Sequence, residues 1–264
     1  MVWRKQPKLV ALTPVHLDVI GDGPRIVLVH GSVAFGLEAW AAQRPLAERF
    51  TLVVVTRSGY PPNPPLERID FEDQADELAG VLERCDHLVG HSYGGVVSLL
   101  AAARRPEALA SLAVIEPPAF GVAPEDPAVQ RFVDAFRGGY QHDPAGYLQF
   151  FLPLVGATMR VPERLPPTLE AGARAAVAER FPSEAEIPFE ALRRGPFPKL
   201  VVSGGHHAAF DAVCDVLERE LDADRAVVPG GGHSVPRTGD PFNRVLTGFV
   251  ERRGPARGQT PARD

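Results

Sequence analysis

A serine set between two glycines, Gly90-His91-Ser92-Tyr93-Gly94, is the stretch of this 264-residue chain best suited to do chemistry. A short apolar run ends at Gly90, and an apolar helical pattern (Val96, Val97, Leu99, Leu100, Ala103) begins beyond Gly95. Gly-x-Ser-x-Gly between a strand and a helix is what a nucleophile elbow needs: the chain turns sharply and leaves the hydroxyl exposed at a strained backbone position. Glycines on either side admit close backbone approach, because a Cβ there would clash. The helix that follows points its N-terminal amides and positive dipole end at any oxyanion formed beside the serine.

A hydroxyl is a poor nucleophile at neutral pH and needs an adjacent base. His233 fits that need. It follows Pro229-Gly230-Gly231-Gly232 after the last expected strand, on a loop from which its ring could swing toward Ser92. A third group, a carboxylate, would orient the imidazole and stabilise its cation. Glu116 is the first choice: it ends the apolar run Leu112–Ile115, and Pro117 and Pro118 stiffen its position. Asp211 is the alternative acid, with helix N-capping as its competing role.

The elements that must carry these residues alternate between strands and helices. Two short strands, around Leu9–Leu12 and Val15–Ile20, are followed by buried β-branched runs at Ile26–Val29 and Leu52–Val55. Helices are expected over about Leu37–Phe50, Asp70–Arg84 and Val96–Arg104, and short strands at His87–Val89 and Leu112–Ile115. From residue 119 to 198 the rhythm changes to amphipathic helical pieces separated by prolines, at about Pro127–Phe136, Pro144–Leu152, Pro167–Arg180 and Phe189–Arg193. The alternation resumes with Leu200–Ser203, a helix over Asp211–Glu220, Ala226–Val228 and a final helix over Pro241–Glu251. The fold class is α/β, a doubly wound, mostly parallel sheet. The expected division is a core of 1–118 and 199–251, a helical insertion over 119–198 and a disordered tail of 252–264 whose only apolar side chains are alanine and proline.

Taken together, His30-Gly31 after a buried strand, Arg57-Ser58-Gly59-Tyr60 after the next, the Ser92 elbow and the late Gly232-His233 resemble the α/β-hydrolase superfamily over roughly residues 15–251. The resemblance implies an eight-stranded, mostly parallel sheet with a helical cap inserted after the sixth strand. It also implies an oxyanion hole made of two backbone N–H groups, that of Tyr93 and that of Ser32 or Val33. One departure stands out. Where the family most often carries its aspartate, this chain has His207 in Gly204-Gly205-His206-His207, and a carboxylate at Glu116 resembles the placement in certain haloalkane dehalogenases and pancreatic-type lipases. His91 is expected to point away from the nucleophile and support the elbow, and His30 to brace the oxyanion loop. The insertion contributes Phe120, Phe136, Tyr140, Tyr147, Phe150, Phe151, Leu152 and Met159, most of them expected to pack and some to face an apolar cleft. The implied activity is cofactor-independent hydrolysis of a small to medium, partly hydrophobic carboxylic ester through an acyl-enzyme. The same scaffold also hosts C–C bond hydrolases, thioesterases, amidases and perhydrolases, and a non-catalytic homologue that binds a small ligand is the reading from a different class.

Composition narrows the partners. A formal net charge of −5 argues against nucleic acid or an anionic membrane. No apolar run reaches bilayer-spanning length, and the basic N-terminus lacks the apolar segment of a secretory signal. Two cysteines, Cys85 and Cys214, without metal-like spacing, fit a reduced, cytoplasmic protein with neither metal nor cofactor. A small-molecule substrate and a monomer or homodimer complete the expectation.

Overall fold

The computed structural model describes residues 15–140, 142–157 and 159–253; the strand expected around Leu9–Leu12 and the chain beyond residue 253 lie outside them. Runs of Val, Ile and Leu form the centre of the fold. They are β2 (Arg25–Val29), β3 (Thr51–Thr56), β4 (Asp86–His91), β5 (Leu109–Ile115) and β6 (Lys199–Ser203), nearly every residue of which is buried. The edge strands β1 (His16–Ile20) and β7 (Asp224–Val227) are largely solvent-facing. The sheet order is β1-β3-β2-β4-β5-β6-β7. Only β1 runs antiparallel, against β3. Seven strands, against the eight implied by the resemblance, are thus present among the described residues, the first expected one falling outside them.

Both faces of the sheet are covered, and for that reason the strands read as unbroken apolar runs. Val27, Val29, Val53, Leu88 and Val114 face one side, packed by α2 (Phe71–Val81), α3 (Tyr93–Arg104) and α8 (Ala208–Leu221). Ile26, Leu28, Val54, Val89 and Ile115 face the other, under Trp40, Phe242, Leu246 and Phe249. The last three residues belong to α9 (Asp240–Arg253). The helix expected over 37–50 divides into α1 (Gly36–Ala39) and a 3₁₀ segment, Ala41–Glu48. Pro45 lies within it and cannot donate an N–H to an α-helical ladder. Helix α8 starts three residues earlier than expected, with the ring of His207 as its cap, so Asp211 sits in the first turn rather than at the N-cap.

The chain leaves β2 toward β3 on one side and returns to β4 on the other. The carboxyl ends of β2 and β4 therefore border a crevice at a topological switch point, where α/β sheets place their ligands. Between β5 and β6 the chain forms α4 (Pro127–Gly139), α5 (Pro144–Leu154), α6 (Pro167–Val177) and α7 (Phe189–Arg194). Asp126 and Asp143 cap α4 and α5 through their carboxylates, and each of these four helices is entered through a proline or directly preceded by one. Past α6 the segment returns to the core by a bridge between Ile69 and Glu179, closed by Ile69 N–H to Ala178 and Arg180 N–H to Ile69, both 2.8 Å.

Candidate active site

Ser92 stands between β4 and α3 at φ 52°, ψ −125°, a conformation that L-residues avoid and that costs on the order of 1–3 kcal/mol. The surroundings over-determine it. A Cβ on Gly94 would fall 2.3 Å from the His30 carbonyl, and one on Gly90 would fall 2.5 Å from the Gly94 carbonyl. Ser92 N–H donates to Ile115 at 2.8 Å, and its carbonyl accepts Gly95 N–H at 2.7 Å. Tyr93 is the first residue of α3, so its N–H has no partner within the helix. Gly31 packs against the serine itself, where a Cβ would lie 2.7 Å from Ser92 Cβ.

The three residues singled out from the sequence meet here. Ser92 Oγ lies 2.8 Å from His233 Nε2, and His233 Nδ1 lies 2.8 Å from Glu116 Oε2. Glu116 follows β5 at φ 45° and is fully buried. Its other oxygen accepts Gly204 N–H at 2.6 Å and faces His206 Nδ1 at 3.4 Å. Burial pushes the Glu116 carboxyl up. The hydrogen bond and charge of His233, with Gly204 and His206 adding to them, outweigh that and hold it below the usual carboxylate range. With the carboxylate ionised, Nδ1 of His233 carries the proton and Nε2 is free to accept the serine proton. Asp211 is not part of this chain of contacts: its carboxylate lies 3.6 Å from the Arg225 guanidinium.

The other histidines have supporting positions. His91 donates its Nε2 proton to the His233 carbonyl at 2.7 Å. Burial, together with the neighbouring His233, lowers its pKa to about 3, so the ring is neutral. His30 donates Nδ1–H to the Gly31 carbonyl at 2.7 Å and accepts Arg57 N–H at Nε2, and burial holds its pKa far below the ordinary value.

Above Ser92 and His233 lies a narrow cavity of about 30 Å³, walled by Phe120, Phe132, Phe136, Tyr147, Phe151 and Phe210. Ser32, Glu179 and Arg180 add polar groups to its wall. Of the eight residues of the insertion considered for the cleft, Phe120, Phe136, Tyr147 and Phe151 line it, and Tyr140, Phe150, Leu152 and Met159 do not. Glu179 was not visible from the sequence. Its buried carboxylate accepts from Arg57 Nη2 at 2.5 Å, from Tyr60 Oη at 2.8 Å and from the hydroxyl of Ser32. Arg57 is equally buried and also donates to His30, Gly31 and Gln74. Lys199, at the start of β6, is buried, and its ammonium donates to the Gly195 and Phe197 carbonyls.

Residues 26–245 match the alpha/beta hydrolase family. The chain belongs to it. Within the family it is similar to a pimeloyl-acyl carrier protein methyl ester esterase of Chromobacterium violaceum, 35% identical over 38% of this chain and 40% of that protein. Another protein of that name, from Neisseria meningitidis, is 27% identical over 86% of this chain and 93% of its own length. The chain spans only about half the length of several other curated relatives that it matches. Among solved structures, a thermophilic esterase from Thermogutta terrifontis superposes with a TM-score of 0.66 at 21% identity, over 90% of this chain and 93% of that one. That likeness concerns the fold.

Proposed function

We propose that this alpha/beta hydrolase is a serine esterase that cleaves small to medium carboxylic esters through an acyl-enzyme. The observation that carries the reading is the Ser92–His233–Glu116 chain, with 2.8 Å at each link, opening on a cavity walled by aromatic rings. In this mechanism Ser92 Oγ attacks the ester carbonyl while His233 Nε2 removes its proton. The tetrahedral oxyanion is received by the backbone N–H groups of Tyr93 and Ser32. Collapse expels the alcohol, protonated by His233, and leaves the acyl group on Ser92. Water, activated by the same imidazole, then releases the acid. Glu116 keeps the imidazole in the right tautomer and stabilises its cation.

The helical segment 119–198 acts as a cap over the core formed by the rest of the chain, and its aromatic residues hold the apolar part of the substrate. Relatives named as methyl ester esterases acting on an acyl carrier protein conjugate support a small alcohol as leaving group. The free thiols of Cys85 and Cys214 fit a reducing, cytoplasmic setting. Among the described residues no helix is long and apolar enough to cross a membrane. Fluorophosphonate labelling followed by mass mapping tests the reading: it predicts modification at Ser92 that is lost in Ser92→Ala and His233→Ala. A folded wild-type protein that resists labelling and turns over no ester in a p-nitrophenyl ester panel would refute it.

A further inference from the structure

The loop proposed to donate the second oxyanion N–H carries backbone strain. Ala34 N–H donates to the Ser32 carbonyl at 2.9 Å across Val33, which sits at φ 72°. A three-residue turn with a positive φ at its centre is rare and strained, and a β-branched residue is the least suited to occupy it. Two contacts from the inserted segment bear on this turn. Gly172 of α6 approaches so closely that a Cβ there would fall 1.9 Å from the Val33 carbonyl oxygen. Seven residues on, the Glu179 carboxylate accepts the Ser32 hydroxyl. Glu179 is in turn anchored from the core by Arg57 and Tyr60, and Arg57 donates to the Gly31 carbonyl on the same loop. Val33 also packs among Tyr147, Leu148, Ala173 and Ala176 of α5 and α6.

Building on the esterase reading, we propose that Glu179 and Gly172 are positioning residues of the cap that hold the Ser32–Val33 turn in its donor conformation. The oxyanion hole is then complete only while the cap is seated. Binding energy that seats the cap serves the transition state, because the amide it positions meets charge only as the oxyanion forms. Neither residue belongs to the Ser92–His233–Glu116 chain of contacts.

Ser32→Ala, Glu179→Gln, their double variant and Gly172→Ala test this. In Glu179→Gln the amide oxygen must stay with Arg57 and Tyr60, so its NH₂ faces Ser32 and reverses the hydroxyl's bond. The readouts are kcat and KM for p-nitrophenyl butyrate, melting temperature, and affinity for a trifluoromethyl ketone. Addition of Ser92 Oγ to that ketone, with proton transfer to His233, makes a tetrahedral oxyanion adduct. Displacing a donor rather than deleting it is expected to lower kcat and ketone affinity in parallel, about tenfold for each single variant, with KM nearly unchanged. The double variant should fall no further than either single one. Gly172→Ala should lower kcat and ketone affinity by at least as much. Additive losses, or a lower melting temperature with kcat and ketone affinity intact, would overturn the proposal. If Glu179→Gln fails to fold, Ser32→Ala and Gly172→Ala decide it by the same parallel fall. Fluorophosphonate labelling of the wild type separates the two levels. Without it the esterase reading fails and this inference with it; with labelling and unaltered variants, this inference alone fails.

Discussion

Replacing Glu116 by glutamine tests the assignment of the acid most sharply, because the structure dictates how the amide must sit. The Gly204 N–H points at Oε1 from 2.6 Å and requires an acceptor there. The glutamine oxygen therefore takes that place and the NH₂ group faces His233 Nδ1, which becomes an acceptor. The ring proton moves to Nε2, where it points at Ser92 Oγ instead of leaving a lone pair to receive the serine proton. Charge is lost as well. Two unit charges about 4 Å apart attract by about 4 kcal/mol at an effective dielectric near 20. At about 1.4 kcal/mol for each tenfold in rate, that is roughly a thousandfold. The wrong tautomer brings the expected fall in kcat to about 10³- to 10⁴-fold, the size seen when a triad aspartate becomes asparagine in serine proteases. Ester hydrolysis and fluorophosphonate labelling rates measure it, with urea unfolding as a control for folding. Asp211→Asn should stay near wild type, since its carboxylate faces Arg225. A Glu116→Gln enzyme that keeps more than a tenth of wild-type kcat, or an inactive Asp211→Asn, refutes the assignment.

Three further outcomes are expected. Gly94→Ala places a Cβ 2.3 Å from the His30 carbonyl and 2.5 Å from that of Val29, both backbone atoms at the end of a buried strand. It should cost about 2–3 kcal/mol in urea unfolding and abolish labelling of Ser92; a stable, labelled variant contradicts the elbow packing. Arg57→Met leaves the buried Glu179 carboxylate without its charged partner and should destabilise by about 3–5 kcal/mol, most of it recovered in Arg57→Met/Glu179→Leu. Failure of the second change to restore stability would show that the pair is not coupled. Stability should also fall as pH drops from 6.5 toward 3. His91 has a folded pKa of about 3, so across that window the unfolded chain takes up a proton that the folded chain refuses. Glu116 acts at lower pH: its carboxyl is held below the ordinary 4.5, so the stability it contributes above that value disappears as pH falls through the folded one. His91→Asn should flatten the slope between pH 6 and 4.5, and an unchanged slope there would contradict a buried neutral ring.

The strands and the elbow were legible because their causes are local. Val27–Val29 and Val53–Val55 are apolar at every position because both faces of the sheet are covered, and the Gly-x-Ser-x-Gly turn writes its steric needs into five consecutive residues. The choice of acid between Glu116 and Asp211 was only partly legible at that level. It depends on the parallel register of β5 with β6, Ile115 against Val202, which lets Glu116 N–H donate to the Val202 carbonyl and brings Gly204 within reach of its carboxylate. No spacing rule within one strand contains that register. The Glu179–Arg57 pair was less legible still, with the partners 122 positions apart and nothing in the helical pattern expected over 167–180 to set Glu179 apart from a solvated carboxylate.

The same geometry explains why a carboxylate at the end of β5 can serve. β4 and β5 are adjacent, so Ser92 and Glu116 leave the sheet side by side, and Ser92 N–H donates to Ile115, the residue just before Glu116. Both residues sit at positive φ, 52° and 45°, and their side chains meet the two ring nitrogens of His233. Pro117 continues the link: a Cβ on Gly95 would lie 3.0 Å from its ring, so the first turn of α3 and the segment after Glu116 lie in close approach. The strain at each residue is borne by a structure that contains the other. A shift of Glu116 would therefore move the elbow as well as the imidazole, and loss of its charge alone, as in the glutamine variant, is the cleaner way to tell electrostatics from packing at this site.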